Sequence, residues 1–264
     1  GHCRWGFWRT ARQFGPRLML SWQWLSAITV GAFAASWAGT WGALVYLRRR
    51  GVLAHPNERS SHTQPTPTGG GAAAIAVLIA VWVLAATLGP AQWGANVIAT
   101  VAVVSLGAVL AAISWLDDLR GGLSPALRFG VQALAVAGGV AALPGPVFQG
   151  LLPPVVDGLA VALVWLWFVN LFNFMDGIDG IAGVQAIGIG VGVALVASAA
   201  GLPPIQTVFG MSAAAVAMGF LPWNWRPAKI FMGDAGSVGL GYLLGWLLLV
   251  LAAQGQWAAA IILP

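Results

Sequence analysis

The stretch AGSVGLGYLLGWLLLVLAA, residues 235–253, runs for nineteen residues without a charge. A helix needs about 20 predominantly apolar residues to cross the ~30 Å hydrocarbon core of a bilayer. The run therefore predicts a membrane span. Runs of the same kind recur at 23–47, 70–88, 95–116, 127–143, 155–174, 181–200 and 204–221, and a ninth begins near Trp257 and is cut off at Pro264. The connections are short and rich in Gly and Pro, as in LGPAQWG and GLPP. The expected fold class is all-α: a polytopic transmembrane helical bundle of about nine spans, the last one truncated. Residues 23–264 are expected to form a single transmembrane domain, preceded by a basic segment, 1–22.

Composition gives the same answer. Of 264 residues, 59% are hydrophobic and 7% charged, with a mean hydropathy of +0.85. A soluble domain carries about 25% charged residues. So little charge cannot cover a water-facing surface, and lipid must be the solvent for most of the chain. Twelve basic residues are too few and too scattered to bind nucleic acid. Cys3 is the only cysteine, which excludes an intrachain disulfide. The fifteen Trp residues suit a lipid–water interface, and Trp22, Trp24, Trp223 and Trp225 fall at expected span ends. The first segment holds Arg4, Arg9, Arg12 and Arg17 and begins with Gly1. It is expected to lie upstream of a natural start near Met19.

Charge placement fixes the sidedness. From residue 48 onward the cations are Arg48, Arg49, Arg50, Arg59, Arg120, Arg128, Arg226 and Lys229. All fall in or beside alternate connections, which the positive-inside rule assigns to the cytoplasm. Glu58, Asp117, Asp118, Asp176, Asp179 and Asp234 share that face, and Asp157 alone lies on the other. A charge kept near lipid needs a partner or a purpose. Loop solvation explains the arginines well, but it explains acids set among Gly and apolar residues poorly.

Four connections on that face carry candidate chemistry. The first reads HPNERSSHTQPTPTGGG, residues 55–71. Its prolines forbid a continuous helix. Asn57, Arg59, Ser60, His62 and the amides of Gly69, Gly70 and Gly71 could hold phosphate or sugar oxygens. The second, SWLDDLRGGLSPALR, residues 114–128, places Asp117 and Asp118 at a span end with Arg120 and Arg128 to offset them. The third, NLFNFMDGIDGIAG, residues 170–183, spaces Asn170, Asn173, Asp176 and Asp179 by three. That spacing makes neighbours on a helix, although four such steps drift around a straight one. Magnesium commonly takes one or two carboxylates and leaves room for water and a substrate phosphate. The fourth, NWRPAKIFMGDAGS, residues 224–237, sets Asp234 between two glycines, with Ser237 a candidate helix cap.

In this order the four motifs resemble those of the polyprenyl-phosphate N-acetylhexosamine-1-phosphate transferases. PNERSSHTQPTPTGGG, DDLRGGLSPALR, NFMDGIDGIAG and FMGDAGS carry the resemblance, over about residues 25–253. It implies that UDP-N-acetylhexosamine and undecaprenyl phosphate react to give UMP and a diphosphate-linked lipid sugar. It also implies a site on the cytoplasmic face of a bacterial inner membrane, with Mg2+, or Mn2+ in its place, as cofactor. Asp117, Asp118, Asp176 and Asp179 are expected to be catalytic, Asp176 and Asp179 to hold the metal, and Asn57, Arg59, Ser60, His62, Gly69–Gly71, Asn170, Asn173 and Asp234 to bind substrate. A homodimer is compatible with the resemblance. The first loop is most similar to the O-antigen-initiating branch. Thr68 departs from the Arg expected there, and the family's later Arg/His-rich loop is expected beyond Pro264.

Two rivals are weighed against this reading. A transporter would hold its acids near the membrane midplane, often within repeats. A CDP-alcohol phosphotransferase would concentrate them in one longer motif. Here they are divided among loops at span ends.

Overall fold

The computed structural model describes residues 22–54, 56, 64–120 and 123–264. The basic segment, His55, and the candidates Asn57, Arg59, Ser60 and His62 lie outside the described residues, as does Glu58. Among the described residues nine helices follow in order: α1 Trp22–Arg50, α2 Gly71–Leu88, α3 Val97–Arg120, α4 Pro125–Val140, α5 Pro154–Met175, α6 Ile181–Ala199, α7 Pro204–Asn224, α8 Gly233–Ala253 and α9 Trp257–Ile262. Seven of these are long and apolar enough to cross a membrane. α4, with 16 residues, is a shorter apolar helix, and α9 spans six. The expected bundle is present, with each run found as a helix. A two-residue antiparallel ribbon joins β1 (Leu53–Ala54) to β2 (Thr66–Pro67) between α1 and α2.

Lipid offers a backbone no hydrogen bonds, so each crossing segment must satisfy its own as a helix. Proline sets where several begin. Pro125, Pro154 and Pro204 occupy first-turn positions, where no intrahelical N–H is needed. Ser124 caps α4 by accepting from Leu127 N.

α8 is the axis of the bundle. Its most apolar stretch is wholly enclosed by protein, whereas the stretches of α1, α2, α3 and α5 are mostly open to lipid. α5 turns Leu159, Leu163, Trp167 and Phe174 outward. Small residues let helices close on one another. At the α6–α7 crossing, a Cβ on Gly190 would lie 2.6 Å from Gly210 O, and one on Gly210 equally close to Gly190 O. Ser36 of α1 donates to Val216 O of α7 at 2.7 Å, and Trp82 of α2 stacks on Phe209 and donates to Ser212 Oγ at 3.0 Å.

The two ends differ in chemistry. At one end Arg128 meets Asp234, Asp179 meets Ala228, and the Gly70 amide meets Phe231 O. At the other, Asp157 accepts from Val147 N and Phe148 N, Gln149 donates to Ala252 O, and Gln206 donates to Gln254. Asp157 thus ties down a loop, which accounts for the one acid placed apart from the rest.

Two outcomes follow from this packing. In a background lacking Cys3, cysteines at Ser124 and Pro227 should react with an impermeant thiol reagent from one side of the membrane and a cysteine at Gln149 from the other; reaction of Ser124 and Pro227 from opposite sides would break the arrangement. Gly190→Leu should lower the unfolding temperature in detergent by about 4–8 °C, from roughly 2 kcal/mol of overpacking. Gly188→Ala, where an added Cβ meets nothing within 4 Å, should leave it unchanged.

Candidate active site

The site is built on the start of α8. The first N–H groups of a helix have no intrahelical acceptor, and the helix dipole makes that end partly positive. α8 begins at Gly233, four residues before Ser237, so the expected cap at Ser237 is corrected. Ser237 is buried in the second turn, where its hydroxyl bonds Gly233 O and Asn173 Oδ1. The free N–H groups are taken by carboxylates from other helices. Asp118, near the end of α3, accepts from Ala235 N at 3.4 Å and from Asp234 N. Asp176, the residue that closes α5, accepts from Gly233 N. Asp234 itself lies in this first turn.

Three acids at one spot repel. Asp176 is pushed well above the ordinary carboxylate range, first by burial and then by the charges of Asp234 and Asp118; the Gly233 N–H pulls weakly the other way. Close backbone approach makes the cluster possible. Gly233 has φ +72°, and a Cβ there would lie 2.8 Å from Asp118 Oδ2.

The adjacent aspartates part company. Asp117 turns away from Asp118, accepting from Leu123 N at 2.8 Å and pairing with Arg128 at 3.1 Å. The same Arg128 Nη1 reaches Asp234 Oδ2 at 3.1 Å, so one cation of α4 bridges the end of α3 to the start of α8. Arg128 remains half-exposed. The sequence marked it only as a counterion, whereas the structure puts it at the centre.

The four residues spaced by three do not share a surface. α5 stops at Met175, and a turn through Gly180, φ +80°, leads into α6. Asn170 donates to Gln132 Oε1 at 2.9 Å and to Leu166 O at 2.8 Å. Asn173 faces Ser237, Asp176 joins the cluster, and Asp179 accepts from Ala228 N at 3.1 Å. Asp179 acts on Asp176 more weakly than Asp234 or Asp118 does. Two amides of the triple glycine are spent within the protein. The Gly70 and Gly71 amides donate to Phe231 O and Met232 O, both at 2.9 Å, so neither is held out to a ligand. The glycines are needed because a Cβ at Gly71 would sit 2.4 Å from Gly236 Cα.

Beside the acids lies a cleft of about 400 Å³ between α3, α4, α5 and α8. Arg128, Gln132, Asn170, Asn173 and Asp234 form its polar wall; Leu110, Ile113, Phe129, Val131 and Val238 form an apolar one. Among the described residues, no three His, Cys, Asp or Glu side chains are gathered as a ready metal cage. Such an arrangement can hold a group that is anionic at one end and hydrocarbon at the other.

The profile of Glycosyl transferase family 4 matches residues 100–252, which include the second, third and fourth motifs. The chain is 35% identical over 243 residues to Decaprenyl-phosphate N-acetylglucosaminephosphotransferase of Mycolicibacterium smegmatis, covering 84% of this chain and 57% of that protein. It is 33% identical over 242 residues to the protein of the same name from Mycobacterium leprae, covering 83% and 58%. It is 34% identical over 200 residues to Phospho-N-acetylmuramoyl-pentapeptide-transferase of Deinococcus radiodurans, covering 67% and 59%. The chain thus spans little more than half the length of these relatives. The match over most of its own length, with the acid-bearing helix ends inside it, makes this chain a member of glycosyl transferase family 4.

Proposed function

We propose that this protein transfers N-acetylhexosamine 1-phosphate from a UDP-sugar to undecaprenyl phosphate, releasing UMP, as the first membrane step of a cell-surface glycan. The observation that carries the reading is the meeting of Asp118, Asp176 and Asp234 at the start of α8, beside a cleft with one polar and one apolar wall. N-acetylglucosamine is the sugar we favour, because the mycobacterial relatives are named for it. The O-antigen assignment rests on the resemblance of the first loop alone. By the charge asymmetry of the connections, the site faces the cytoplasm of a bacterial inner membrane.

On this reading each residue has a task. A lipid phosphate at the cleft meets the Arg128 guanidinium, whose planar fork has donors beyond the one spent on Asp117 and Asp234. The apolar wall takes the first prenyl units. An oxygen of that phosphate attacks the phosphorus bonded to the sugar, the P–O bond to UMP breaks, and its electron pair leaves with UMP. Holding two phosphates in line supplies much of the rate. A phosphate monoester has its second pKa near 6 and is largely ionised at neutral pH. Asp117 therefore needs to position Arg128 more than to remove a proton.

A pair of these carboxylates would suit a divalent cation, because the acids at the start of α8 outnumber the single arginine among them. Mg2+ commonly uses one or two carboxylates, with water and substrate phosphate completing its shell. Asp176 would hold it, with Asp118 or Asp234 as the second carboxylate; Asp179 is engaged by Ala228 N. Bound there, Mg2+ or Mn2+ would screen the phosphates and absorb charge developing on the leaving group.

Asp176→Asn should abolish UMP release from a UDP-sugar, by at least about 10³ or roughly 4 kcal/mol. The same substitution should raise the unfolding temperature in chelator by about 2–4 °C, since a repelled charge is gone. The pH dependence has a defined sign. Asp176 has a folded pKa above its unfolded value, so its contribution to stability is complete below about pH 4 and is lost as pH rises through the folded value. The unfolding temperature in chelator should therefore fall with rising pH, more steeply for the parent than for Asp176→Asn. Normal turnover in the variant would remove Asp176 from the mechanism.

Arg128→Ala should lower kcat/KM by about 10²–10³, the usual cost of a lost charge-stabilising donor. Arg128→Lys should restore only part of it, since one point charge cannot bridge two carboxylates and still serve a third anion. Equal activity in all three proteins would refute the bridging role.

A further inference from the structure

Arg48 and Lys229 take no part in the acid cluster, yet the fold brings them to one place. Arg48 lies in the last turn of α1, and Lys229 in the segment between α7 and α8. Both line an open polar hollow of about 510 Å³, with the β1–β2 ribbon and Pro227 as further walls. The frame is fixed by hydrogen bonds: Phe231 N donates to Pro67 O at 2.8 Å, Lys229 N to Trp223 O at 2.9 Å, and Thr68 N to Val52 O at 3.4 Å. Among the described residues, Arg128 makes the only ion pairs, so neither cation of the hollow has a carboxylate partner there.

Each cation has a simpler use. Basic residues at a helix C-terminus suit its dipole, which would serve Arg48, Arg49 and Arg50 alike. Lys229 Nζ lies 5.6 Å from the centre of the Trp223 ring. Neither use explains why two like charges line one hollow, where they repel unless an anion lies between them. The surroundings also place the hollow at the lipid boundary. Arg50 sits over Tyr46, and Trp223 packs on Trp37. Aromatic rings of this kind mark headgroup depth, and basic pockets between helices on that face recognise lipid phosphates.

We propose that this hollow is a second phosphate site, separate from the acid cluster, which takes the headgroup of an anionic phospholipid between Arg48 and Lys229. A soluble nucleotide diphosphate is the other source of the same chemistry. The site has a path to the acids, since Ala228, in its wall, donates its amide to Asp179. Binding there does not depend on the transferase reading and is measured without turnover.

Lys229 is the only lysine in the chain, so amine acylation followed by peptide mass spectrometry reads this one side chain. The full chain is placed in phosphatidylcholine nanodiscs, and its acylation rate is measured alone, with phosphatidylglycerol mixed into the disc, or with UDP added. One addition should slow acylation about fivefold or more, as expected when ligand exceeds Kd several-fold. Slowing by phosphatidylglycerol identifies the lipid as the source; slowing by UDP identifies the nucleotide. Arg48→Ala should abolish the slowing, while Arg49→Ala, which does not line the hollow, should keep it. Unfolding temperature, followed by Trp fluorescence, confirms that both variants are folded. Slowing by neither addition, or slowing that survives Arg48→Ala, overturns the site.

Discussion

The start of α8 presents backbone N–H groups with no acceptor of their own, and two carboxylates from distant helices take them. Asp118 arrives from α3 and Asp176 from α5, while Asp234 belongs to the turn itself. In water such a gathering of anions would disperse. Here the partly positive helix end and Arg128 hold it together, and the residual repulsion leaves Asp176 reluctant to ionise. Much else in the bundle serves this constraint. α8 has to be enclosed to bring helices close to its first turn, and glycines at 71, 233 and 236 remove the side chains that would hold them apart. A site kept under such strain is less stable than a neutral one and better suited to cationic or electrophilic ligands.

The division of labour between Asp117 and Asp118 shows how local geometry sorts identical side chains. Successive residues on a helix point about 100° apart, so one faces α4 and the other α8. Asp117 holds the loop at Leu123 and orients Arg128; Asp118 joins the cluster. The same arginine touches both Asp117 and Asp234, so a change at any of the three should be felt by the others, and their effects should not add.

Much of this was legible in the sequence, for a definite reason. Hydrocarbon imposes one secondary structure and one length scale, so apolar runs located the nine helices of the described residues, and the alternation of charges located the end at which the acids meet. The residues that escaped are those whose partners are remote in sequence. Arg128 reads as an intraloop counterion until Asp234, over a hundred residues later, is seen against it. The helix period suggested that Asn170, Asn173, Asp176 and Asp179 were neighbours, but the helix ends at Met175 and the turn sends Asp179 to Ala228. Gly69–Gly71 looked like a phosphate cradle because glycine permits close approach to anything. Here what comes close is the protein itself: the Trp115 ring at Gly69, Ile230 and Phe231 O at Gly70, and Met232 and the Gly236 backbone at Gly71.

α4 is the shortest of the eight longer helices, with 16 residues. At 1.5 Å per residue it reaches about 24 Å, some 6 Å less than ordinary hydrocarbon thickness. One way a bilayer accommodates so short a wall is to thin locally. Arg128 lies in the first turn of α4, so headgroups drawn inward there would descend toward the mouth of the cleft. Membrane thickness thereby becomes a variable of the site: a thicker, stiffer bilayer would resist the dimple and hold the headgroups farther from the arginine, with no residue changed.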